Sequence, residues 1–298
     1  MNKVALLTGV TGFIGGELAR RLIKEGWSIA IVVRSESDLS FIEDVQEKAT
    51  THLYNGTTRS LITIIAEVKP DVVFHLASLF LVDHAPDQVA ELISSNVLFG
   101  TQLLEAMVIC DVKNIVNTGT GWQNYHCDNY RAVNLYAATK QAFEDILDFY
   151  VDKYSLSSVT LKLFDTYGPN DKRRKLIRLM VDAIKNGEEL GVSPGDQVID
   201  ISHVDDVVEH FLQAGIFCMT SELNSSQKYF ISGERFTIKE LASTIELVIS
   251  REASIIYGAR PYRDREVMYL PSVKDRMPPW NDSFVRRSIK QGVLALLT

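Results

Sequence analysis

A chain of 298 residues with 46% apolar and 23% charged side chains has ordinary globular composition, which excludes the disordered class and suits one large α/β domain with a smaller lobe. Its formal charge of -7 and lack of a long basic run argue against a nucleic-acid partner, although Lys172-Arg173-Arg174-Lys175 is suited to one or two phosphates. Cys110, Cys127 and Cys218 are scattered and form no CxxC pair, so neither a disulfide framework nor a metal site is expected.

The start, Met1-Asn2-Lys3 with a short apolar run, imitates a signal peptide but is cut short by Thr8-Gly9. No apolar stretch reads as membrane-spanning, so a cytoplasmic protein without a membrane partner is expected. Val4-Ala5-Leu6-Leu7 predicts a buried strand. Helical spacing follows over 17–24, closed by Gly26. Further apolar strands are read at 29–33, 71–76 and 115–117, with helices over 96–107 and 135–154. Strands that are apolar throughout are buried on both faces, which implies a parallel sheet covered by helices. The fold class is therefore α/β, a doubly wound parallel (Rossmann) sheet with a smaller C-terminal substrate lobe. The predicted division is a dinucleotide-binding domain over 1–165, with 198–214 returning to its main sheet, and a substrate lobe over 166–197 and 215–298.

The first strand runs into Thr8-Gly9-Val10-Thr11-Gly12-Phe13-Ile14-Gly15, which opens the first helix. Glycines let the backbone approach a pyrophosphate, and the helix N-terminus offers free N–H groups and a positive dipole end. Gly9, Thr11, Gly12, Phe13, Ile14 and Gly15 are the expected cofactor contacts. The second strand ends at Arg34-Ser35, where an acidic residue would select the 2′-hydroxyl of NAD. Arg34 and Ser35 attract a 2′-phosphate instead, so NADPH is expected over NAD, with Glu36 and Asp38 nearby as opposing charges.

Tyr136 and Lys140 lie four residues apart and share one helix face. A neighbouring ammonium is expected to lower the phenol below its usual value of about 10. The phenol then exchanges a proton while hydride moves at the same carbon. Thr118 ends a buried strand and is the first candidate to polarise a substrate carbonyl, with Thr120 in reserve.

Together with His75-Leu76-Ala77, Asn96-Val97, Gly100-Thr101, Tyr167-Gly168-Pro169 and His203-Val204-Asp205-Asp206, these motifs resemble the extended short-chain dehydrogenase/reductase (NAD-dependent epimerase/dehydratase) family across nearly the whole chain. The likeness is to its nucleotide-sugar members, and around 121–123 and 134–140 to CDP-paratose/CDP-abequose synthase-like 4-ketoreductases. The resemblance implies that Leu76, Ala77 and Ser78 lie along the cofactor, and that Leu163 and Asp165 run beside nicotinamide and sugar. It implies that Asn96 supports the active-site backbone, and that helices 96–107 and 135–154 build a homodimer's four-helix interface. His75 is read as strand-end packing, and Asp205 and Asp206 as helix bracing.

The chain departs from the family where Asn55-Gly56 replaces an adenine-side aspartate, where Asp165 replaces asparagine, and where Ile199 replaces a phosphate-binding arginine. Asn55 and Gly56 remain cofactor candidates. Arg173, Arg260, Arg263 and Arg265 are candidate replacements for the phosphate contact.

No carboxylate follows Thr118, which disfavours sugar-nucleotide dehydration. The expected reaction is NADPH-dependent reduction of the C4 ketone of a CDP- or dTDP-linked 4-keto-deoxyhexose, for deoxysugar and O-antigen synthesis. A 4-epimerase with retained NAD is the alternative. A non-catalytic NADP-binding redox sensor is the alternative of another class.

Overall fold

The computed structural model describes residues 3–126, 129–221 and 223–297; Met1, Asn2 and Cys127 lie outside them. The elements in chain order are β1 (Val4–Thr8), α1 (Phe13–Lys24), β2 (Ser28–Val33), α2 (Glu43–Gln46), β3 (Thr50–Leu53), α3 (Thr58–Val68) and β4 (Val72–His75). Next come α4 (Val89–Ile93), α5 (Phe99–Ile109), β5 (Asn114–Thr120), α6 (Leu135–Tyr154), β6 (Ser157–Leu163), β7 (Asp165–Tyr167), α7 (Leu176–Asn186) and β8 (Glu189–Gly191). The chain closes with β9 (Val198–His203), α8 (Val204–Thr220), β10 (Ser226–Ile231), β11 (Glu234–Thr237), α9 (Ile238–Ile249), β12 (Ser254–Ile256) and α10 (Ile289–Leu297).

Among the described residues, seven strands form one sheet in the order β10-β6-β5-β4-β1-β2-β3, with every pairing parallel. One face packs against α1 and α8 through Leu18, Leu22, Val207 and Phe211. The other packs against α3, α5 and α6 through Leu61, Ile65, Leu103, Phe143 and Leu147. The doubly wound parallel sheet expected from the apolar strands is therefore present. A third core, built by α7, α9 and α10 around Met180, Leu241 and Val293, makes a smaller C-terminal lobe.

Three local expectations differ from the structure. Strand 198–203 does not return to the main sheet; β9 pairs with β7 and β11 in a separate three-stranded sheet, and only α8 goes back to cover the main one. The segment that does join the main sheet is β10, parallel to β6. The second difference concerns apolar length. The helical run Pro86–Ile109 is long and apolar enough to cross a membrane, with 24 residues and a mean hydropathy of 1.4. α3 and α6 pack on its buried side, which accounts for 39% of the run, while Val89, Ile93, Leu98 and Ile109 stay exposed.

The third is that this helix starts well before 96 and widens over 94–98 into one π-type turn around buried Asn96. Such wide turns mark places where a helix adjusts around a functional group.

The chain crosses between lobes beside Asp200. Its carboxylate accepts from Gly233 N at 2.7 Å and Arg235 Nε at 3.0 Å, and it also bonds the Ser232 hydroxyl. Asp200→Ala strips all three donors of a buried acceptor. The expected loss is about 3 kcal/mol or more of unfolding free energy, read from urea melts.

Candidate active site

The strand order reverses direction at β1 and β4, and ligands of such sheets bind where the carboxyl ends of those strands part. The first turn of α1 sits at that crevice. Gly12 is its N-cap, no side chain caps it, and no acidic residue lies in its first turn. The leading N–H groups are therefore available to an anion. Gly9 has φ +74°, and a Cβ on it would collide with the backbone of Leu76 and Ala77. A Cβ on Gly15 would strike the Gly9 carbonyl. The loop carrying Thr11 and the β4 loop are thus pressed together, leaving a backbone-lined cradle that fits a dinucleotide pyrophosphate.

At the far end of β2, Arg34 Nε meets Glu36 at 3.2 Å and Ser35 donates to the same carboxylate at 3.0 Å. Both charged side chains are more than half exposed, so the pair is worth little and is easily exchanged for another anion. On the adenine side, Asn55 Oδ1 accepts from Thr57 N and Oγ1, which supports the α3 N-cap and leaves the amide N–H₂ outward. Gly56, at φ +89°, accepts from Gln102 Nε2 at 3.3 Å.

Helix α6 matches its expected span end to end. Asn134 caps it, accepting from Ala137 N at 3.0 Å, and donates to the carbonyls of Leu81 and Val82. Asn96 reaches the same loop from the other side. It bonds Leu79 N at 2.7 Å and Leu79 O at 2.9 Å, accepts from Ser78, and donates to Thr139 at 3.0 Å. Two asparagines therefore clamp residues 78–82 against the start of α6, as expected for Asn96 and unforeseen for Asn134.

Tyr136 lies in the second helical position, its ring edge-on to Phe80 at 4.9 Å, and Phe80 also meets Trp122 at 5.6 Å. Burial pushes the Tyr136 phenol up to about 12, with a hydrogen bond to Ser78 working against it. The expected lowering by Lys140 is not seen; desolvation outweighs it in the protein without cofactor. Lys140 is 2% exposed, and burial brings it down to about 8 against the opposing charge of Glu144. His75, buried at the end of β4, is held neutral by burial and by the Lys140 charge, at about 3. Its Nδ1 shares a hydrogen bond with Thr8 Oγ1 at 2.9 Å, and its ring packs on Phe99 and Phe143, so it serves as strand-end packing.

Thr118 and Thr120 are both committed locally. The Thr118 hydroxyl donates to the His75 carbonyl at 3.0 Å rather than standing free. Thr120, 8% exposed, caps the turn after β5 by accepting from Trp122 N, a role that still leaves its hydroxyl proton to donate.

The expected substrate cations divide. Arg173 forms a two-point pair with Asp171, donates to Thr166 O and covers the Phe13 ring at 4.9 Å. Through Phe13 it braces the first turn of α1. Arg265 donates to the carbonyls of Val133 and Ala132 and covers Tyr125, so it fastens the C-terminal segment to the approach of α6. Arg263 is exposed. Lys175 lies nearer to Tyr136, 4.7 Å over Phe80 and 3.6 Å from Asp165. Leu163, 8% exposed at the end of β6, and Asp165 flank the same opening. Phe80 had no motif of its own; Trp122 lay in the stretch 121–123 and Lys175 in the basic cluster 172–175, but neither was singled out as a site residue.

The family model described as NAD dependent epimerase/dehydratase family matches residues 5–216. CDP-abequose synthase of Yersinia pseudotuberculosis is 28% identical over 274 residues, covering 91% of this chain and 92% of its own. The enzyme of the same name from Salmonella muenchen is 28% identical over 309 residues, covering 100% and 98%. The solved structure of Thermus thermophilus UDP-glucose 4-epimerase in complex with NAD superposes with a TM-score of 0.80 at 20% identity, covering 98% of this chain and 97% of that one.

Asn134→Ala should cost about 1–2 kcal/mol in urea unfolding, since it removes a helix cap together with two loop anchors.

Proposed function

Because this chain belongs to the NAD dependent epimerase/dehydratase family and is a nicotinamide-dependent oxidoreductase, we propose that it uses NADPH to reduce the C4 ketone of a nucleotide-linked 4-keto-deoxyhexose. The observation that carries this reading is the Tyr136–Lys140 face, with Lys140 buried and Tyr136 half-buried, opening beside a β5 turn, 118–122, that holds no carboxylate. A dehydratase needs an acid and a base there. The full-length relatives named CDP-abequose synthase support a CDP-linked sugar, with a dTDP-linked one as the near variant. The place of the reaction is deoxysugar and O-antigen synthesis in the cytoplasm.

When bound, the reduced nicotinamide supplies the hydride that goes to C4. Tyr136, protonated across the neutral range, gives its phenolic proton to the C4 oxygen as the carbinol forms. Lys140 places positive charge beside the phenolate that remains and holds a ribose hydroxyl. Solvent returns the proton to Tyr136. Thr118 has to leave the His75 carbonyl to donate to the substrate oxygen, so its contribution is the smaller one. Lys175, Phe80 and Trp122 form the wall against which the sugar lies.

The NADPH preference rests on Arg34 and Ser35 exchanging Glu36 for the 2′-phosphate. The active form is a homodimer through the helices of 86–109 and α6. Val89, Ile93, Leu98 and Ile109 on the first, and Phe149 on the second, are exposed large apolar side chains.

The test is loss of NADPH absorbance with CDP- and dTDP-linked 4-keto sugars, with NMR of the product at C4. Tight NADPH binding without turnover would point to a sensor, and interconversion of C4 epimers without NADPH consumption to an epimerase. Tyr136→Phe should lower kcat by about 10²–10⁴-fold and Thr118→Ala by about tenfold. Arg34→Ala should bring the kcat/KM values for NADPH and NADH together. The reduction rate should fall as pH rises through about 8, because the Lys140 ammonium is lost there well before the Tyr136 phenol ionises.

A further inference from the structure

We infer that Glu144 is a positioning residue of this active site: its buried carboxylate holds the 120–123 turn through Gln123 and sets a negative charge one helical turn beyond Lys140. The inference rests on the roles given to Tyr136 and Lys140 above.

Tyr136, Lys140, Glu144 and Asp148 follow one another at four-residue spacing and form a column on α6. Glu144 is 2% exposed, as is Lys140. Its Oε1 lies 3.2 Å from Lys162 on β6 and 3.2 Å from Lys228 on β10. Its Oε2 accepts from Gln123 Nε2 at 2.9 Å. Gln123 uses its other end to accept the Thr120 N–H at 2.9 Å, so the carboxylate is one residue removed from the turn that bears Trp122. Lys228 continues to Asp148 at 2.6 Å, where the column reaches solvent.

A dry carboxylate between two lysines is an expensive way to fill that space, and well-packed apolar residues would serve stability as well. What apolar residues would not supply is negative charge next to Lys140. The groups facing that ammonium are the His75 ring from β4, which is neutral, the Tyr136 phenol, which is protonated, and Glu144. Glu144 is therefore the charge opposing the desolvation of Lys140. Lys162, Lys228 and, through Lys162, Arg276 are the cations that face Glu144 from the sheet side.

The sign follows directly. Burial lowers Lys140 and Glu144 opposes it, so removing the carboxylate lowers Lys140 further and its proton leaves at a lower pH. Glu144→Gln keeps the shape and the bond to Gln123 while deleting the charge. Two readouts apply: NMR titration of the lysine side-chain carbons in the protein without cofactor, and the alkaline limb of kcat/KM with NADPH and a 4-keto sugar nucleotide.

Both should move down by about one pH unit in Glu144→Gln and stay in place in Glu144→Asp. Gln123→Met, which spares the charge, should raise KM severalfold without moving the limb. If Glu144→Gln does not fold, Lys162→Met takes its place; it removes a competing cation and should move the Lys140 titration up. An unmoved titration in Glu144→Gln, even with a lower kcat, overturns the charge role, as does an unmoved or lowered one in Lys162→Met. An unchanged KM in Gln123→Met overturns the hold on the turn. Full turnover in Tyr136→Phe would instead sink the underlying reading, while the cofactor-free titration would still stand on its own.

Discussion

The ammonium of Lys140 lies behind the cleft with 2% of its surface exposed, and an isolated charge in such a place costs several kcal/mol. Its neighbours are arranged to bear that cost. His75, which in water would titrate near neutrality, is held at about 3 and accommodates the positive charge by carrying none. It is kept there by Thr8 on one side and by the rings of Phe99 and Phe143 on the other. Glu144 supplies the counter-charge and is itself balanced by two lysines from the sheet. The same burial that lowers the lysine raises the phenol. The resting pair is thus a protonated acid beside a cation ready to stabilise its anion, which is the state a net reduction requires.

Much of this was readable from spacing. The glycine triplet announces its site because Gly9 and Gly15 each stand where a Cβ has no room. The span of α6, Leu135 to Tyr154, was readable as a long helix, whereas its cap at Asn134 and the left-handed turn at Ser155 that ends it were seen only in the structure. What escaped was β6. It is buried at every position yet reads Ser-Ser-Val-Thr-Leu-Lys-Leu, and a polarity pattern does not announce a core strand with a lysine in it. Lys162 is there because Glu144 is, and that pairing spans 18 residues of sequence and two different elements. The strand at 198–203 was readable as a strand but not as a member of the small sheet, because its partner strands are only three and four residues long.

The direction of each cation was least legible, since it depends on the nearest acceptor in space. Within 168–175 the chain turns twice. Arg173 follows Asp171 back onto Phe13, beside the cofactor cradle, and Lys175, two residues on, reaches forward over Phe80 beside Tyr136. Both side chains come from one basic cluster, and the fork between them sends one to the glycine loop and the other to the rim beside Tyr136. Arg265 shows the same dependence from the other lobe: two backbone carbonyls before α6 claim it, so it fastens its segment to the start of that helix.

The two lobes meet through short crossings, and these fix the cleft more firmly than its loops suggest. β6 passes through Phe164 into β7, β9 passes directly into α8, and β10 passes through Ser232-Gly233 into β11. Phe164 packs so closely on Gly121 that a Cβ there would collide with its ring, which ties the first crossing to the turn after Thr118. At the third, a Cβ on Gly233 would collide with the Ile201 carbonyl, and Asp200 bonds the crossing from beneath. A small sheet stitched to the large one at these points cannot swing freely as a lid. The rim beside Tyr136 is then shaped by side chains, chiefly the exposed Phe80 and the Lys175 that covers it, and not by a hinge between the sheets.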